Sequence, residues 1–230
     1  MTKIYLLDVS LEGYSETEKY QILEKTFPLL RKERIEKLET ICFLEDKLCS
    51  AGAGVLLDIG LREYGLRAAD VSLGYKGNRK PYLIDHPEIC FNLSHSGSLV
   101  MAAFSDRETG CDIEKTGKGN LQLVKRFFHP EEQKHLEELA LSSSPEEWKK
   151  TFCRYWTLKE SFMKVTGEGV RLMLDQFCIR LGNPVRVVVN GEEKAYEIRE
   201  FSVPGYCASV CVEETAGEVF FSFQNLQDVV

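Results

Sequence analysis

Apolar residues recur at helical spacing in three long segments of the chain. The first runs from Glu16 to Leu38 and is interrupted by Pro28, and the second runs from Glu45 to Tyr64. The third follows Ser144–Glu147, a capping box with proline at the first helical position, and stops at Gly167. The pattern therefore predicts a broken first helix, a second long helix and a third helix of about 20 residues.

Short apolar runs between these helices predict strands. One lies at the N-terminus, and two others, Leu99–Phe104 and Cys111–Glu114, flank a polar turn, so we expect these two to pair. A glycine followed by an apolar strand occurs at Gly97 and again at Gly205. This repeat fits two similar halves, or a chance likeness between two hairpins. Helices and strands together predict an α+β protein.

Composition narrows the class of protein. The chain has 230 residues, 43% of them hydrophobic, and a formal net charge of −7, which does not favour nucleic-acid binding. It has no apolar run of membrane-spanning length and no apolar leader, so we expect a cytoplasmic protein. Its eight cysteines form no CxxC pair and lie among apolar residues, which predicts buried, reduced thiols.

Four local patterns could carry chemistry. Asp112 and Glu114 alternate around Ile113, so on a strand both carboxylates face the same way and repel unless a cation lies between them. Glu160 and Lys164 share a helical face. By itself, the first pair favours a solvent-facing edge strand, and the second is also typical of an ordinary surface ion pair.

The other two patterns offer groups that bind anions. Phe91–Gly97 is a run of small polar residues that includes Ser94 and His95, and Gly77–Pro81 is a basic loop that includes Lys80. Each is also typical of a solvated turn, and their chemistry alone does not separate the alternatives.

The order of these motifs is more specific than any one of them. Gly-x-x-Lys-Pro, Phe-Asn-Leu-Ser-His-Ser, Gly-Cys-Asp-Ile-Glu-Lys and Trp-Thr-Leu-Lys-Glu-Ser-Phe-x-Lys follow one another between Arg34 and Val212. In this order they resemble the 4′-phosphopantetheinyl transferases of the surfactin-synthetase-activating type. The resemblance implies an α+β fold of two similar α/β halves in a pseudo-twofold arrangement, here 1–105 and 106–230, with the active site between them.

The resemblance also implies an activity and a metal site. Such enzymes transfer the 4′-phosphopantetheine of coenzyme A (CoA), their co-substrate, to a serine of an apo acyl or peptidyl carrier protein and release 3′,5′-ADP. Asp112, Glu114 and Glu160 would bind Mg²⁺, with Mn²⁺ as an alternative, a role that suits hard carboxylate ligands. The general base would be Glu160, directly or through a metal-bound water, with Glu132 as second choice, while Lys164 would assist at a phosphate.

The same resemblance assigns the residues that contact CoA. They are Arg34, Lys37, Lys80, Ser94, His95, Lys159 and Lys164, although Asn78-Arg79 lengthens the motif of Lys80. The family commonly has an arginine where this chain has Leu48 and Cys49, which weakens one contact to the 3′-phosphate or shifts it to Lys47.

Partners follow from the implied reaction. We expect a monomer that meets an acidic carrier through a basic patch around Lys115, Lys118 and Lys125, and that binds neither nucleic acid nor membrane. Carriers of peptide, polyketide and fatty acid synthesis all fit. The alternative is a non-catalytic module for CoA or a nucleotide, with a structural Mg²⁺ site.

Overall fold

The chain forms two compact units in a computed structural model that describes residues 1–77, 79–167, 173–213 and 217–230. The first unit comprises Met1–Gly74, Pro81–Asp106 and Gly217–Val230, and the second comprises Tyr75–Lys80 and Arg107–Ala216. The chain thus passes from the first unit to the second next to the expected boundary after residue 105, and its last residues return to the first unit.

The elements of the first unit are β1 (Thr2–Asp8), α1 (Glu16–Thr26), α2 (Lys32–Thr40), α3 (Leu44–Arg62), β4 (Cys90–Ser96), β5 (Leu99–Ser105), β12 (Val219–Asn225) and α7 (Leu226–Val229). Its strands form a four-stranded sheet in the order β12-β1-β5-β4, with β1 parallel to β12 and antiparallel to β5. A short hairpin, β2 (Leu73–Lys76) and β3 (Lys80–Leu83), contributes residues to both units.

The helix α3 is the centre of the first core. A Cβ on Gly60 would lie 2.0 Å from the Phe104 ring, and one on Gly52 would lie 2.8 Å from Val9. Glycine is required because the helix lies directly against its neighbours. The break at Pro28 and the second predicted helix are both confirmed.

The elements of the second unit are β6 (Thr109–Lys115), α4 (Leu121–Phe127), α5 (Pro130–Ser142), α6 (Pro145–Thr166), β7 (Phe177–Arg180), β8 (Arg186–Val189), β9 (Glu192–Glu193), β10 (Tyr196–Val203) and β11 (Tyr206–Glu213). Its strands form one sheet in the order β10-β11-β6 and a smaller sheet in the order β7-β8-β9.

The third predicted helix is α6, and its ends form as expected. Ser144 accepts a hydrogen bond from the Glu147 N–H, and Gly167 ends the helix with φ 68° while its N–H donates to the Met163 carbonyl. Left-handed backbone at this position favours glycine. The aromatic side chains of α6 pack in the second core, where Trp148, Phe152 and Trp156 stack on one another.

The expected pairing of Leu99–Phe104 with Cys111–Glu114 is wrong. Both segments are strands, but β5 pairs with β1 and β4, whereas β6 pairs with β11. Every residue of β5 is buried and both of its edges are occupied, so it has no edge left for β6. The two glycines of the apparent repeat do have one role in common: Gly97 (φ 56°) turns β4 into β5, and Gly205 (φ 75°) turns β10 into β11.

Candidate active site

The strand β6 carries the first two predicted acidic residues. Asp112 and Glu114 point to one side and Ile113, which is fully buried, to the other. Asp112 is 3% exposed and Glu114 is half-buried. In the ladder with β11, Asp112 lies opposite Ser209 and Glu114 opposite Cys207. The predicted strand geometry of this pair is therefore confirmed.

The helix α6 brings Glu160 and Lys164 to this strand. The Lys164 Nζ donates to Asp112 Oδ1 at 2.6 Å. Close approach is possible because residue 110 is glycine: a Cβ there would lie 2.2 Å from the Ser161 carbonyl oxygen. Four of the predicted site residues thus lie within the second unit, on a strand and on the helix that packs against it.

Electrostatics link the acidic residues. Burial raises the pKa of the Glu160 carboxyl, Lys164 opposes this rise, and the negative charges of Asp112 and Glu114 add to it. Burial alone would lower the pKa of Lys164, but Asp112, Cys111 and Glu160 together outweigh it, so the net pKa is raised. The cluster therefore has an excess of negative charge that a cation would balance.

The donor set of this cluster fits a hard divalent cation. Mg²⁺ is bound by a few carboxylate oxygens and completes its shell with water and phosphate oxygens. In this structure, however, the oxygens of the three carboxylates do not all lie within 4.8 Å of one another. Among the described residues, the group of three with ligand atoms within 4.8 Å of one another is His129, Glu131 and Cys178.

That second group has other partners. Glu131 forms an ion pair with Arg180 at 3.3 Å, and the His129 Nδ1 accepts the Glu131 N–H at the start of α5. Burial raises the pKa of the Cys178 thiol to about 12, so it is protonated at neutral pH. Metal binding there would have to displace these contacts and a proton.

Glu132 and Lys159 form a separate, fully buried ion pair. The Lys159 Nζ lies 2.8 Å from both carboxylate oxygens of Glu132 and donates to the Phe177 carbonyl at 2.8 Å. The backbone N–H groups of His129 and Ile179 also donate to Glu132. Lys159 is 0% exposed and Glu132 is 1% exposed, so this geometry does not support the expected phosphate contact of Lys159 or the expected base role of Glu132.

Lys80 is also occupied within the protein. Its ammonium donates to Glu108 Oε2 at 2.7 Å and to the carbonyls of Thr109 at 2.9 Å and Val165 at 3.2 Å. These acceptors match the three N–H donors of an ammonium, so Lys80 ties the end of α6 to the start of β6 and its expected contact with CoA is not supported. Asn78, which lengthens the motif, lies outside the described residues.

Sequence reasoning missed Glu108. It accepts from Lys76 as well as Lys80, and these two hydrogen bonds outweigh burial, so that the net pKa of Glu108 is lowered. The sequence gives no direct signal for this contact, because the burial of Lys80 is visible only in the structure: a lysine that is 8% exposed requires an acidic or carbonyl partner.

The remaining predicted CoA residues lie in the first unit. Arg34 and Lys37 are one turn apart on α2, and the Arg34 guanidinium donates to the Ser50 carbonyl at 3.0 Å while Lys37 is exposed. Ser94 and His95 are neighbours on β4, the first buried and the second exposed.

The two positions where the family has an arginine face inward in this chain. Leu48 is 1% and Cys49 is 3% exposed, and the Cys49 thiol donates to the Gly97 carbonyl at 3.3 Å. They are part of the core, while the neighbouring Lys47 is half-buried.

Comparison with known proteins identifies the family. Residues 108–211 match the model of the 4′-phosphopantetheinyl transferase superfamily. The chain is 33% identical over 196 residues to the 4′-phosphopantetheinyl transferase Sfp of Bacillus subtilis, covering 82% of this chain and 84% of that protein. It is 29% identical over 212 residues to psf-1 of Bacillus pumilus, covering 90% and 89%. It is 37% identical over 127 residues to HetI of Nostoc, covering 53% and 52%. These relatives all bear the name of the transferase.

The matched segment contains both halves of the acidic cluster, β6 and α6. The comparisons give no support to the alternative of a non-catalytic binding module. The chain therefore belongs to the 4′-phosphopantetheinyl transferase superfamily, as an enzyme that transfers phosphopantetheine from CoA to carrier proteins.

Proposed function

We propose that Asp112, Glu114 and Glu160 hold the Mg²⁺ used in this transfer, with Mn²⁺ as an alternative. The observation that carries the proposal is the strand–helix arrangement that brings Glu160 of α6 within electrostatic reach of the two alternate carboxylates of β6. Burial raises the pKa of Glu160, and the charges of Asp112 and Glu114 add to that rise. When bound, Mg²⁺ supplies positive charge to the pyrophosphate oxygens of CoA.

The reaction exchanges one oxygen–phosphorus bond for another. The carrier serine oxygen attacks the β-phosphorus of CoA, and the bond from this phosphorus to the oxygen that bridges to the α-phosphate breaks. The electron pair of that bond leaves with 3′,5′-ADP, and the serine proton passes to a base.

Glu160 is our candidate for that base. It is half-buried, and its raised pKa brings it closer to neutral pH, where a general base is most effective. Glu132 is not proposed as the base, because both of its oxygens already accept hydrogen bonds in a buried site.

Lys164 would orient one ligand and bind the substrate. Its ammonium donates to Asp112 Oδ1, and its positive charge would attract a CoA phosphate. In the first unit, Arg34, Lys37, Ser94 and His95 are proposed for the 3′-phosphate, with exposed His95 and Lys37 as its main contacts. The buried Lys80 and Lys159 would act as positioning residues. Lys80 fixes the end of α6 through the Val165 carbonyl, and Lys159 fixes the middle of α6 through the Phe177 carbonyl.

Partner and location follow as further proposals. Carriers are usually acidic, and exposed Lys115, Lys118 and Lys125 offer a basic surface to them on the chain that follows β6. We propose a cytoplasmic location, since all eight cysteines are free, as is typical of a reducing compartment, and a monomeric state, which the resemblance implies. Among the residues that the structure describes, no helix combines the length and apolar composition needed to cross a bilayer.

The test of the metal site is a transfer assay with variants. The enzyme is mixed with CoA, Mg²⁺ and an apo carrier, and the carrier is weighed by mass spectrometry for addition of the phosphopantetheine arm. Asp112→Asn, Glu114→Gln and Glu160→Gln should each raise the Mg²⁺ concentration needed for half-maximal rate, and Glu160→Gln should also lower the rate at saturating Mg²⁺ by about 100-fold or more.

Glu146→Gln is the matched control, because Glu146 is an exposed residue of the same helix. It should behave as the unmodified enzyme. Near-normal transfer by Glu160→Gln at every Mg²⁺ concentration would remove Glu160 from both roles.

The docking proposal has its own assay. Reversing Lys115 and Lys118 to glutamate should raise the KM for the carrier and leave the KM for CoA unchanged. Equal effects on both KM values would count against docking at this surface.

A further inference from the structure

Two cysteines of the second unit lie side by side where α6 packs on β11. The Cys207 Sγ lies 3.7 Å from the carbonyl oxygen of Lys150, one turn before Cys153 on α6. The Cys153 Sγ lies 3.5 Å from the carbonyl oxygen of Glu114, the residue paired with Cys207 in the β6–β11 ladder. The two thiols also shift each other's pKa, that of Cys153 upwards and that of Cys207 downwards. They are therefore neighbours in space, although 54 positions of sequence separate them.

Small reagents can reach one member of this pair. Cys207 is half-buried and lines a cavity of about 340 Å³ together with Lys150, Arg154 and Tyr206. Cys153 is 4% exposed and lies behind it. An oxidant that enters the cavity would thus meet Cys207 first, with Cys153 in place as the second thiol.

We propose that Cys153 and Cys207 form a modification site, at which a peroxide produces a reversible disulfide that displaces Glu114. The first step transfers one oxygen atom: the Cys207 sulfur attacks a peroxide oxygen, the O–O bond breaks, and water and a Cys207 sulfenic acid result when the peroxide is hydrogen peroxide. In the second step, Cys153 attacks that sulfur and a second water leaves. Two thiols and one hydrogen peroxide thus give one disulfide and two waters.

The link to Glu114 comes from the hydrogen bond that oxidation removes. In the reduced protein, the Cys153 thiol donates to the Glu114 carbonyl. A disulfide has no S–H group, and its geometry would also draw α6 and β11 towards a fixed sulfur–sulfur distance. The backbone of Glu114 would lose a donor and shift, and its carboxylate with it. This consequence rests on the proposed metal role of Glu114.

Peptide mapping tests the disulfide without relying on activity. Tryptic cleavage isolates Cys153 in the short peptide 151–154, whereas Cys207 falls in the long peptide 200–230 with Cys211. After treatment of the folded enzyme with hydrogen peroxide and blocking of free thiols, we expect these two peptides to be linked, with fragmentation placing the bond at Cys207. Dithiothreitol should release them.

Two variants make the mapping specific. Cys207→Ser should give no linked peptide, whereas Cys42→Ser, which removes an exposed cysteine of the first unit, should give as much as the unmodified enzyme. Absence of the linked peptide under conditions that oxidise Cys42 would overturn the proposal, as would a link to Cys211 in place of Cys207.

A Mg²⁺ titration of the transfer rate then tests the coupling. Oxidation should raise the Mg²⁺ concentration for half-maximal rate by about tenfold, the scale of a lost supporting contact to a metal ligand, and dithiothreitol should restore it. Cys207→Ser should show no such change with peroxide. A linked peptide with an unchanged Mg²⁺ response would overturn the displacement of Glu114. If Glu114→Gln itself leaves the Mg²⁺ response unchanged, the metal proposal fails, and peptide mapping still decides the disulfide.

Discussion

Replacing Lys159 by methionine should destabilise the second unit strongly. The ammonium lies 2.8 Å from both oxygens of a carboxylate that is 1% exposed, so its removal leaves Glu132 with two backbone N–H donors and no compensating charge. Loss of one partner of a buried ion pair costs about 3–5 kcal/mol of unfolding free energy. The Phe177 carbonyl loses its donor as well, which places the expected loss towards the upper end of that range.

Urea unfolding followed by tryptophan fluorescence measures this loss directly. Both tryptophans, Trp148 and Trp156, lie in α6, so the signal reports on the second unit. The double variant Lys159→Met/Glu132→Gln should lose less than the sum of the two single variants, because it leaves no buried charge uncompensated. Lys150→Met, an exposed lysine of the same helix, should change the unfolding free energy by no more than about 0.5 kcal/mol.

Two results would refute this reasoning. A Lys159→Met variant as stable as the unmodified enzyme would mean that the pair contributes nothing. Additive losses in the double variant would mean that the two side chains act independently.

Three further predictions test other contacts of the second unit. Gly110→Ala should lower the unfolding free energy by about 1–3 kcal/mol in the same fluorescence assay, because its Cβ would lie 2.2 Å from the Ser161 carbonyl oxygen; unchanged stability would contradict the close packing of β6 and α6. Glu108→Gln should destabilise the protein at neutral pH, and the difference in melting temperature should vanish in acid. The folded-state pKa of Glu108 is lowered, so its contribution is present above the unfolded pKa and is lost as pH falls through the folded one; a deficit that persists in acid would contradict this. Asn120→Ala should cost about 1 kcal/mol, because the Asn120 Oδ1 accepts the Leu123 N–H at the start of α4, and Asn120→Asp should retain that stability.

Local patterns predicted the strand and the helix that carry the candidate site. The alternation of Asp112 and Glu114 and the capped helix that carries Glu160 depend on residues that are close in sequence, so their faces follow from strand and helix periodicity. The hydrogen bond from Lys164 to Asp112 could not be predicted in this way, because it depends on how α6 packs against β6, which are distant in sequence.

Two features of the fold show where local reasoning fails. The pairing of β5 with β6 was expected because a polar turn joins them. The partners of a strand, however, depend on packing across the whole chain, and both edges of β5 pair with β1 and β4. Lys159 was expected at a phosphate because it matches the lysine of the family motif that contains Glu160. On a helix, however, adjacent side chains point in directions about 100° apart, so one can be half-buried at the site while the other is enclosed in the core.

The parallel pairing of β12 with β1 has a consequence for how the protein is made. The Thr2 N–H donates to the Glu218 carbonyl, and β12 covers the whole length of β1. During synthesis β1 leaves the ribosome early, and all of 107–216 follows before β12 emerges. Most of the second unit is thus an insertion within the first. It can fold on the growing chain before the edge strand β12 has been synthesised, whereas the sheet of the first unit is complete only afterwards.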